Sequence, residues 1–315
     1  MVLDFETYRA LGLDSLAPTS VNGRDRSDFV VSLNAPGDAV YNPCPEAYPA
    51  PDTPRGEVKS HKDWGGSAIF PDTLRDIRVY TPAGFDRAAP ARLIVFNDGG
   101  FYLPRGGAVR AAQVLDSLHA AGQIGPTVAV FVDPGRPPGS TLGDVAASAQ
   151  RSFEYDSITD LYGRFLIEEV LPFVEQAEGV TFSPDPAHRT VCGISSGGIC
   201  AFTAAWWFPE QFGRVLSHCG SFVNIRGGHN LAFAVRATPR KPIRVFLQSG
   251  AADASYITGD WPLGNQTMAS ALAFAGYNHR FEFGTGGHSL RHGGAIFADS
   301  LRWLWRHDAT ETPTP

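Results

Sequence analysis

The chain has 315 residues, 43% of them apolar, and a formal net charge of −6. That apolar share supports a substantial core and excludes a globally disordered chain. The acidic balance argues against nucleic acid or an anionic membrane surface as partner, and no apolar run reaches the ~18 residues that cross a bilayer.

The first residues, Met-Val-Leu-Asp-Phe-Glu-Thr-Tyr-Arg, lack a basic stretch followed by an apolar one, so no secretory leader is expected. The four cysteines, Cys44, Cys192, Cys200 and Cys219, stand singly. Such spacing suits buried thiols in a reducing, cytoplasmic setting better than a disulfide framework or a zinc knuckle. Residues 1–56 are punctuated by Pro18, Pro36, Pro43, Pro45, Pro49, Pro51 and Pro54. A short helix in the first dozen residues and a short strand over 28–33 are expected there. The stretch reads either as a disordered tail or as an arm or lid packed on the domain that follows, bordering the mouth of its site. Phe5, Tyr8, Phe29, Tyr41 and Tyr48 favour packing, since a free tail has little use for aromatics.

Residues 57–308 read as one α/β domain and 309–315 as a disordered tail. Apolar runs predict strands at Arg75–Tyr80, Arg92–Phe96, Val128–Val132, Thr190–Cys192, Arg214–Ser217, Ile243–Gln248 and His279–Phe283. Amphipathic stretches predict helices at Ala108–Ala120, Thr159–Glu178, Gly198–Trp207, Asn265–Ala275 and Gly294–Arg306. This alternation implies a mostly parallel central sheet with helices on both faces. Right-handed crossovers then collect the loops after the strands along one edge, where ligands bind.

Three of those loops carry chemistry. Gly193-Ile194-Ser195-Ser196-Gly197 ends a β-branched apolar run and opens an Ala-rich helical one. In that strand–turn–helix context Gly-x-Ser-x-Gly lifts a serine hydroxyl clear of the sheet, which points to an α/β-hydrolase fold. Serine needs an adjacent base, and α/β-hydrolases supply the partners in the order Ser, Asp/Glu, His. Asp253 follows Val245–Gln248, and His288 follows Phe281–Phe283 through Gly284, Gly286 and Gly287. Ser195 is therefore the candidate nucleophile, His288 its base and Asp253 the orienting acid, with His292 as the competing base. His61, His119, His188 and His307 read as structural hydrogen-bonding residues. His218 and His229 with Cys219 lack metal-ligand spacing, so neither a metal nor another cofactor is expected.

An oxyanion also needs donors. The backbone N–H of Ser196, next after the nucleophile, is one; the second is expected at Gly100 in Asn97-Asp98-Gly99-Gly100-Phe101-Tyr102. Phe101 and Tyr102 of that loop, Arg151 and Glu154 of Arg151-Ser152-Phe153-Glu154-Tyr155-Asp156, and Trp261 of Asp260-Trp261-Pro262 are candidates for binding substrate. Their bland readings are a glycine turn, a solvated charge run and a core tryptophan.

Together with Ile69-Phe70-Pro71-Asp72-Thr73-Leu74-Arg75-Asp76 and His292-Gly293-Gly294, these phrases resemble the enterochelin-esterase-like branch of a family of serine esterases related to esterase D and the feruloyl esterases. The likeness runs over about residues 57–306. It implies a metal-independent hydrolase of carboxylic esters with Ser195 as nucleophile and His288 as base. It leaves Asp253 open, because some siderophore esterases of the family work with a Ser–His pair. Enterochelin esterases also carry an N-terminal β-sandwich domain, and the 56-residue arm is too short to be one. The leading expectation is hydrolysis of a siderophore-type or related hydroxy-acid ester through an acyl-Ser195 intermediate. Carbohydrate or feruloyl acyl esters, acyl transfer by the same triad, and a non-catalytic binding protein are the alternatives. The expected partner is a small-molecule ester; assembly into a homo-oligomer is left open.

Overall fold

The computed structural model describes residues 35–306 and a short ladder pairing Ser20–Val21 with Arg24–Asp25. The expected helix in the first dozen residues, most of the segment ahead of residue 35, and the tail at 309–315 lie outside the described residues.

Eight strands form one sheet: β1 (Glu57–Trp64), β2 (Arg75–Thr81), β3 (Arg92–Asn97), β4 (Thr127–Val132), β5 (Arg189–Ile194), β6 (Arg214–His218), β7 (Arg244–Gly250) and β8 (His279–Gly284). Their spatial order is β8-β7-β6-β5-β3-β4-β2-β1, parallel from β8 to β4 and antiparallel at β4–β2 and β2–β1. Strands such as Thr-Val-Ala-Val-Phe-Val (β4) are buried at every position, as a parallel strand covered on both faces requires. The seven strands predicted after residue 57 all form, and the one expected over 28–33 lies outside the described residues. β1 was not foreseen, because Glu57-Val-Lys-Ser-His-Lys-Asp-Trp64 is an almost wholly exposed edge with no apolar alternation. Its charges suit an edge that must not recruit another strand.

One face is covered by α2 (Val145–Asp156), a helix spanning 161–178 (α3), α4 (Ser196–Trp207), α5 (Asn230–Ala237) and α6 (Trp261–Phe274). The other carries α1 (Ala111–Ala120) and α8 (Phe297–Trp305), with α7 (Leu290–Ala295) between β8 and α8. α2 escaped prediction because its buried side mixes charge with apolar residues: Glu154 and Asp156 are buried beside Ala147 and Tyr155, while Val145 is exposed. The apolar stripe is thus interrupted by carboxylates, which weakens a periodicity argument. Residues 35–56 run over the α1/α8 side, where Cys44 and Ala47 are buried and the Ser117 hydroxyl donates to Glu46 O at 2.7 Å.

The chain leaves β3 for β4 on one side and returns as β5 on the other. The loops after β3 and β5 therefore part at a topological switch point, the crevice where open α/β sheets bind ligands. All four cysteines are free and buried, and burial pushes the Cys192, Cys200 and Cys219 thiols up, away from reactive thiolate.

Candidate active site

The turn from β5 into α4 is built by sterics. A Cβ on Gly193 would lie 2.2 Å from Gly197 O, so the strand can reverse into the helix only with glycine there. Ser195, at the apex, has φ 59° and ψ −123°, a strained conformation for a residue with a side chain. Its N–H donates to His218 O at 2.9 Å and its C=O accepts from Ser221 N at 3.0 Å, which ties the apex to the loop after β6.

Three strand-end loops converge on this apex. His288 Nε2 lies 2.8 Å from Ser195 Oγ, and His288 Nδ1 lies 2.6 Å from Asp253 Oδ1. A carboxylate only accepts, so Nδ1 carries the proton and Nε2 is left to accept from the serine hydroxyl. Asp253 Oδ1 also accepts from Ala254 N (2.7 Å), and Oδ2 accepts from Ser249 Oγ (2.7 Å). The buried carboxylate is thereby held rigidly. Trp261 stands edge-on to His288, with ring centroids 5.7 Å apart, and its indole N–H donates to Ser221 Oγ at 3.1 Å. Ser221 Oγ lies 3.3 Å from Ser195 Oγ. Since the indole is donor-only, one arrangement satisfies every group: Trp261 donates to Ser221, Ser221 to Ser195, Ser195 to His288 and His288 to Asp253.

His292, the competing base, is elsewhere. Its Nδ1 meets Gln248 Nε2 at 3.2 Å and its ring stacks on Tyr41 at 4.2 Å. Cys219, Asp253 and His288 place one ligand atom each within 4.8 Å of one another. The imidazole nitrogen and the carboxylate are already engaged together, and the Cys219 thiol points at the Gln248, Gly287 and Ser289 oxygens. The donor set is that of a hydrogen-bonded triad, and we assign no metal to it.

Other expected site residues separate. Ser196 opens α4, so its N–H belongs to the first turn, where helix donors have no intrahelical partner. Gly100 corrects the expectation of a free second donor. Its N–H donates to Asp133 Oδ1 at 2.8 Å, and Asp133 is held by Arg78 at 2.8 Å. β4 lies beside β3, so the residue following β4 reaches the 98–101 turn. Phe101 is exposed and lines the main cleft, but Tyr102 does not bind there. The 3-10 turn at Gly99–Phe101 sends Tyr102 inward, fully buried, with its hydroxyl 3.0 Å from His218 Nδ1. Glu154 is a correction too: it grips Arg75 at 2.7 and 3.0 Å in the core, satisfying a buried charge. Arg151 does reach the cleft, held bidentately by Asp98 at 2.8 and 2.7 Å.

The main cleft, about 750 Å³, is walled by Phe101, Pro134, Leu142, Ile194 and Leu290 beside Arg78 and Arg151, and reaches Ser195 and His288. A second hollow of about 450 Å³ shares Ser195, His288 and Arg151 and is lined by Ser148, Ser152, Tyr256, Thr258 and Trp261. Ser221, Asp98, Asp133 and Arg78 were not singled out in the sequence. The available signal was position: Asp98, Asp133 and Ser221 all lie in loops following predicted strands at the same sheet edge.

His218 beneath the site predicts an acid limit. Burial, with the charge of His292, pushes its pKa down to about 3, so it is neutral in the fold. Unfolded, it takes a proton near its ordinary pKa of about 6.5. Its contribution is thus complete above pH ~6.5 and drains as pH falls toward the folded value. His119 and His292, also lowered by burial, act in the same sense. Thermal melts should show Tm falling from pH 7 to pH 4, and His218→Gln should flatten that slope while lowering Tm at neutral pH. A slope unchanged in the variant would contradict this account.

A family model described as "Putative esterase" matches residues 70–304. The iron(III) enterobactin esterase of Dickeya dadantii (strain 3937) is 27% identical over 271 residues, covering 78% of this chain and 54% of that protein. The chain spans about half the length of the curated relatives it matches. The enterobactin esterase of Shigella flexneri, solved in the presence of enterobactin, superimposes with TM-score 0.62 at 23% identity, over 86% of this chain and 61% of that one. A ferulic acid esterase from Anaeromyces mucronatus, in complex with ferulic acid, gives TM-score 0.62 at 15% identity, over 84% and 97%. These superpositions show a shared α/β-hydrolase fold.

Proposed function

The chain belongs to the "Putative esterase" family, and from that membership we propose that it hydrolyses carboxylic esters through an acyl-Ser195 intermediate. The observation that carries this reading is the unbroken contact from Ser195 Oγ to His288 to Asp253. Ser195 Oγ attacks the acyl carbon as its proton passes to His288 Nε2. The oxyanion faces the Ser196 N–H at the positive end of α4. His288 then gives the proton to the departing alkoxide, leaving an acyl-serine. Water next attacks that ester while His288 takes its proton, and the tetrahedral species collapses to the carboxylic acid as His288 returns that proton to the departing Ser195 Oγ. Asp253 stabilises the imidazolium in both halves.

The names of the relatives make a siderophore-type hydroxy-acid ester the leading substrate class. A second reading rests on charge. Both arginines of the main cleft are compensated, Arg78 by Asp76 and Asp133 and Arg151 by Asp98, beside apolar walls. Such a surface favours an uncharged aryl or alkyl acyl group, as in feruloylated sugars. The four free, buried thiols support a cytoplasmic site of action. No helix among the described residues is long and apolar enough to cross a membrane.

The test is release of nitrophenol from a short-chain nitrophenyl ester, with mass spectrometry locating a fluorophosphonate adduct. Label on the peptide containing Ser195 supports the reading; hydrolysis without any label there ends it. Comparing kcat/KM on a trilactone siderophore and on a feruloylated sugar separates the two substrate classes.

A further inference from the structure

The loop that carries His288 is rich in glycine, with Gly284, Gly286 and Gly287 just ahead of the imidazole. Glycine loses more backbone freedom on ordering than any other residue, so something must hold such a loop still. The segment that does so comes from the other end of the chain, before the first strand of the sheet.

Residues 35–44 cross directly over 284–289. Thr285 Oγ1 donates to Gly37 O at 3.2 Å, and Thr285 N donates to Tyr41 Oη at 3.0 Å. Asp38 Oδ1 accepts from Gly287 N at 3.1 Å and from Ser289 Oγ at 3.0 Å, the two residues flanking His288. Its Oδ2 accepts from Ala35 N at 3.0 Å. Beyond the loop, Tyr41 stacks on His292 with rings 14° from parallel, and Cys44 N donates to Gly294 O at 3.2 Å.

The two segments also fit sterically. A Cβ on Gly37 would lie 1.9 Å from Thr285 O, one on Gly284 2.1 Å from Tyr41 Oη, and one on Gly286 2.7 Å from Asp38 Oδ1. The glycines that make the loop pliable are thus the ones that admit the crossing segment. Asp38 is only 2% exposed, and burying a carboxylate is costly unless its oxygens are satisfied. Here they are satisfied largely by the loop itself. Holding the Gly287 N–H and the Ser289 hydroxyl from a single oxygen ties down the two residues that flank His288, and so the direction in which its imidazole leaves the chain.

We infer that residues 35–44 form a strap that holds the His288 loop in its productive position, with Asp38 as its positioning residue. This rests on the esterase reading above. Asp38 touches neither Ser195 nor the cleft; it acts through His288. Because Ser195 and the base must meet within a fraction of an ångström, loosening the loop by about 1 Å should cost about 10²-fold in turnover.

The experiment measures kcat per active site, with sites counted by fluorophosphonate titration on the full chain. Asp38→Ala should lower kcat per site by about 10- to 100-fold with KM within about twofold. It should also broaden or abolish the downfield proton resonance of the His288–Asp253 hydrogen bond. Asp38→Asn keeps an oxygen for Gly287 and Ser289, so it should restore kcat to within about threefold and return the resonance. A merely structural role would lower Tm or the number of titratable sites and leave kcat per site unchanged, which overturns the proposal. Should Asp38→Ala fail to fold, Tyr41→Phe keeps the stacked ring and removes only the acceptor for Thr285. Its kcat per site should fall in the same direction, by about threefold, and an unchanged value also overturns the strap. A wild-type protein that neither titrates nor hydrolyses defeats the esterase reading instead. An active wild type matched by Asp38→Ala defeats the strap alone.

Discussion

Replacing Ser195 with Ala is expected to lower kcat by about 10⁵- to 10⁶-fold while leaving KM within about threefold. The asymmetry follows from where the hydroxyl acts. It forms its covalent bond only along the reaction path, whereas ground-state binding is set by the walls of the cleft, such as Phe101, Leu142 and Leu290. The variant should fold normally, because Ser195 is held at its strained φ of 59° by backbone bonds to His218 and Ser221 that alanine keeps. Residual hydrolysis above the water rate should remain, from the Ser196 donor and from binding. Stopped-flow release of nitrophenol, with circular dichroism to check folding, measures it. A loss smaller than about a hundredfold would mean that another group carries the acyl transfer.

Asp253→Asn should cost about 10³- to 10⁴-fold in kcat. Two effects combine. The carboxylate loses the charge that stabilises the imidazolium at 2.6 Å, and the amide can donate where the carboxylate only accepted. An NH₂ turned toward His288 would favour the tautomer protonated at Nε2, which cannot take the serine proton. Ala254 N–H also donates to Oδ1 and opposes that turn, while the Ser249 hydroxyl can accept from an NH₂ at Oδ2, so the lost charge is the larger of the two effects. Steady-state kinetics across pH would decide it. A loss below about tenfold would mean that the Ser195–His288 pair works alone, the alternative that the family resemblance leaves open.

The elements that were legible in the sequence share one property: their signal is local. β3 and β4 carry the apolar runs Leu93–Phe96 and Val128–Val132 because both their faces are covered, and the turn at Gly193–Gly197 is written in its own five residues. Asp253 and His288 were reachable because parallel strands deliver their following loops to one edge. Where the signal is a partner elsewhere in the chain, sequence reasoning failed. Glu154 looked like a pocket residue until Arg75, 79 positions away, was seen to neutralise it. Tyr102 looked like its neighbour Phe101 until a 3-10 turn sent one inward and the other out. The Gly100 amide looked free until Asp133 arrived from the adjacent strand. α2 was obscured for the same reason, since the charge of Glu154 on its buried side is paired with Arg75.

The amino-acid sequence by itself determined the layered fold, the candidate nucleophile and the order of the three loops of the proposed triad, because backbone sterics and apolar periodicity act over a few residues. Only the tertiary structure set His288 rather than His292 against Ser195, gave Trp261 a place beside that imidazole, and brought Asp38 across some 250 positions onto its loop. Hydrogen bonds and ion pairs act over about 3 Å of space whatever the distance along the chain. Which donor meets which acceptor is therefore settled by packing, after the strands and helices have found their places.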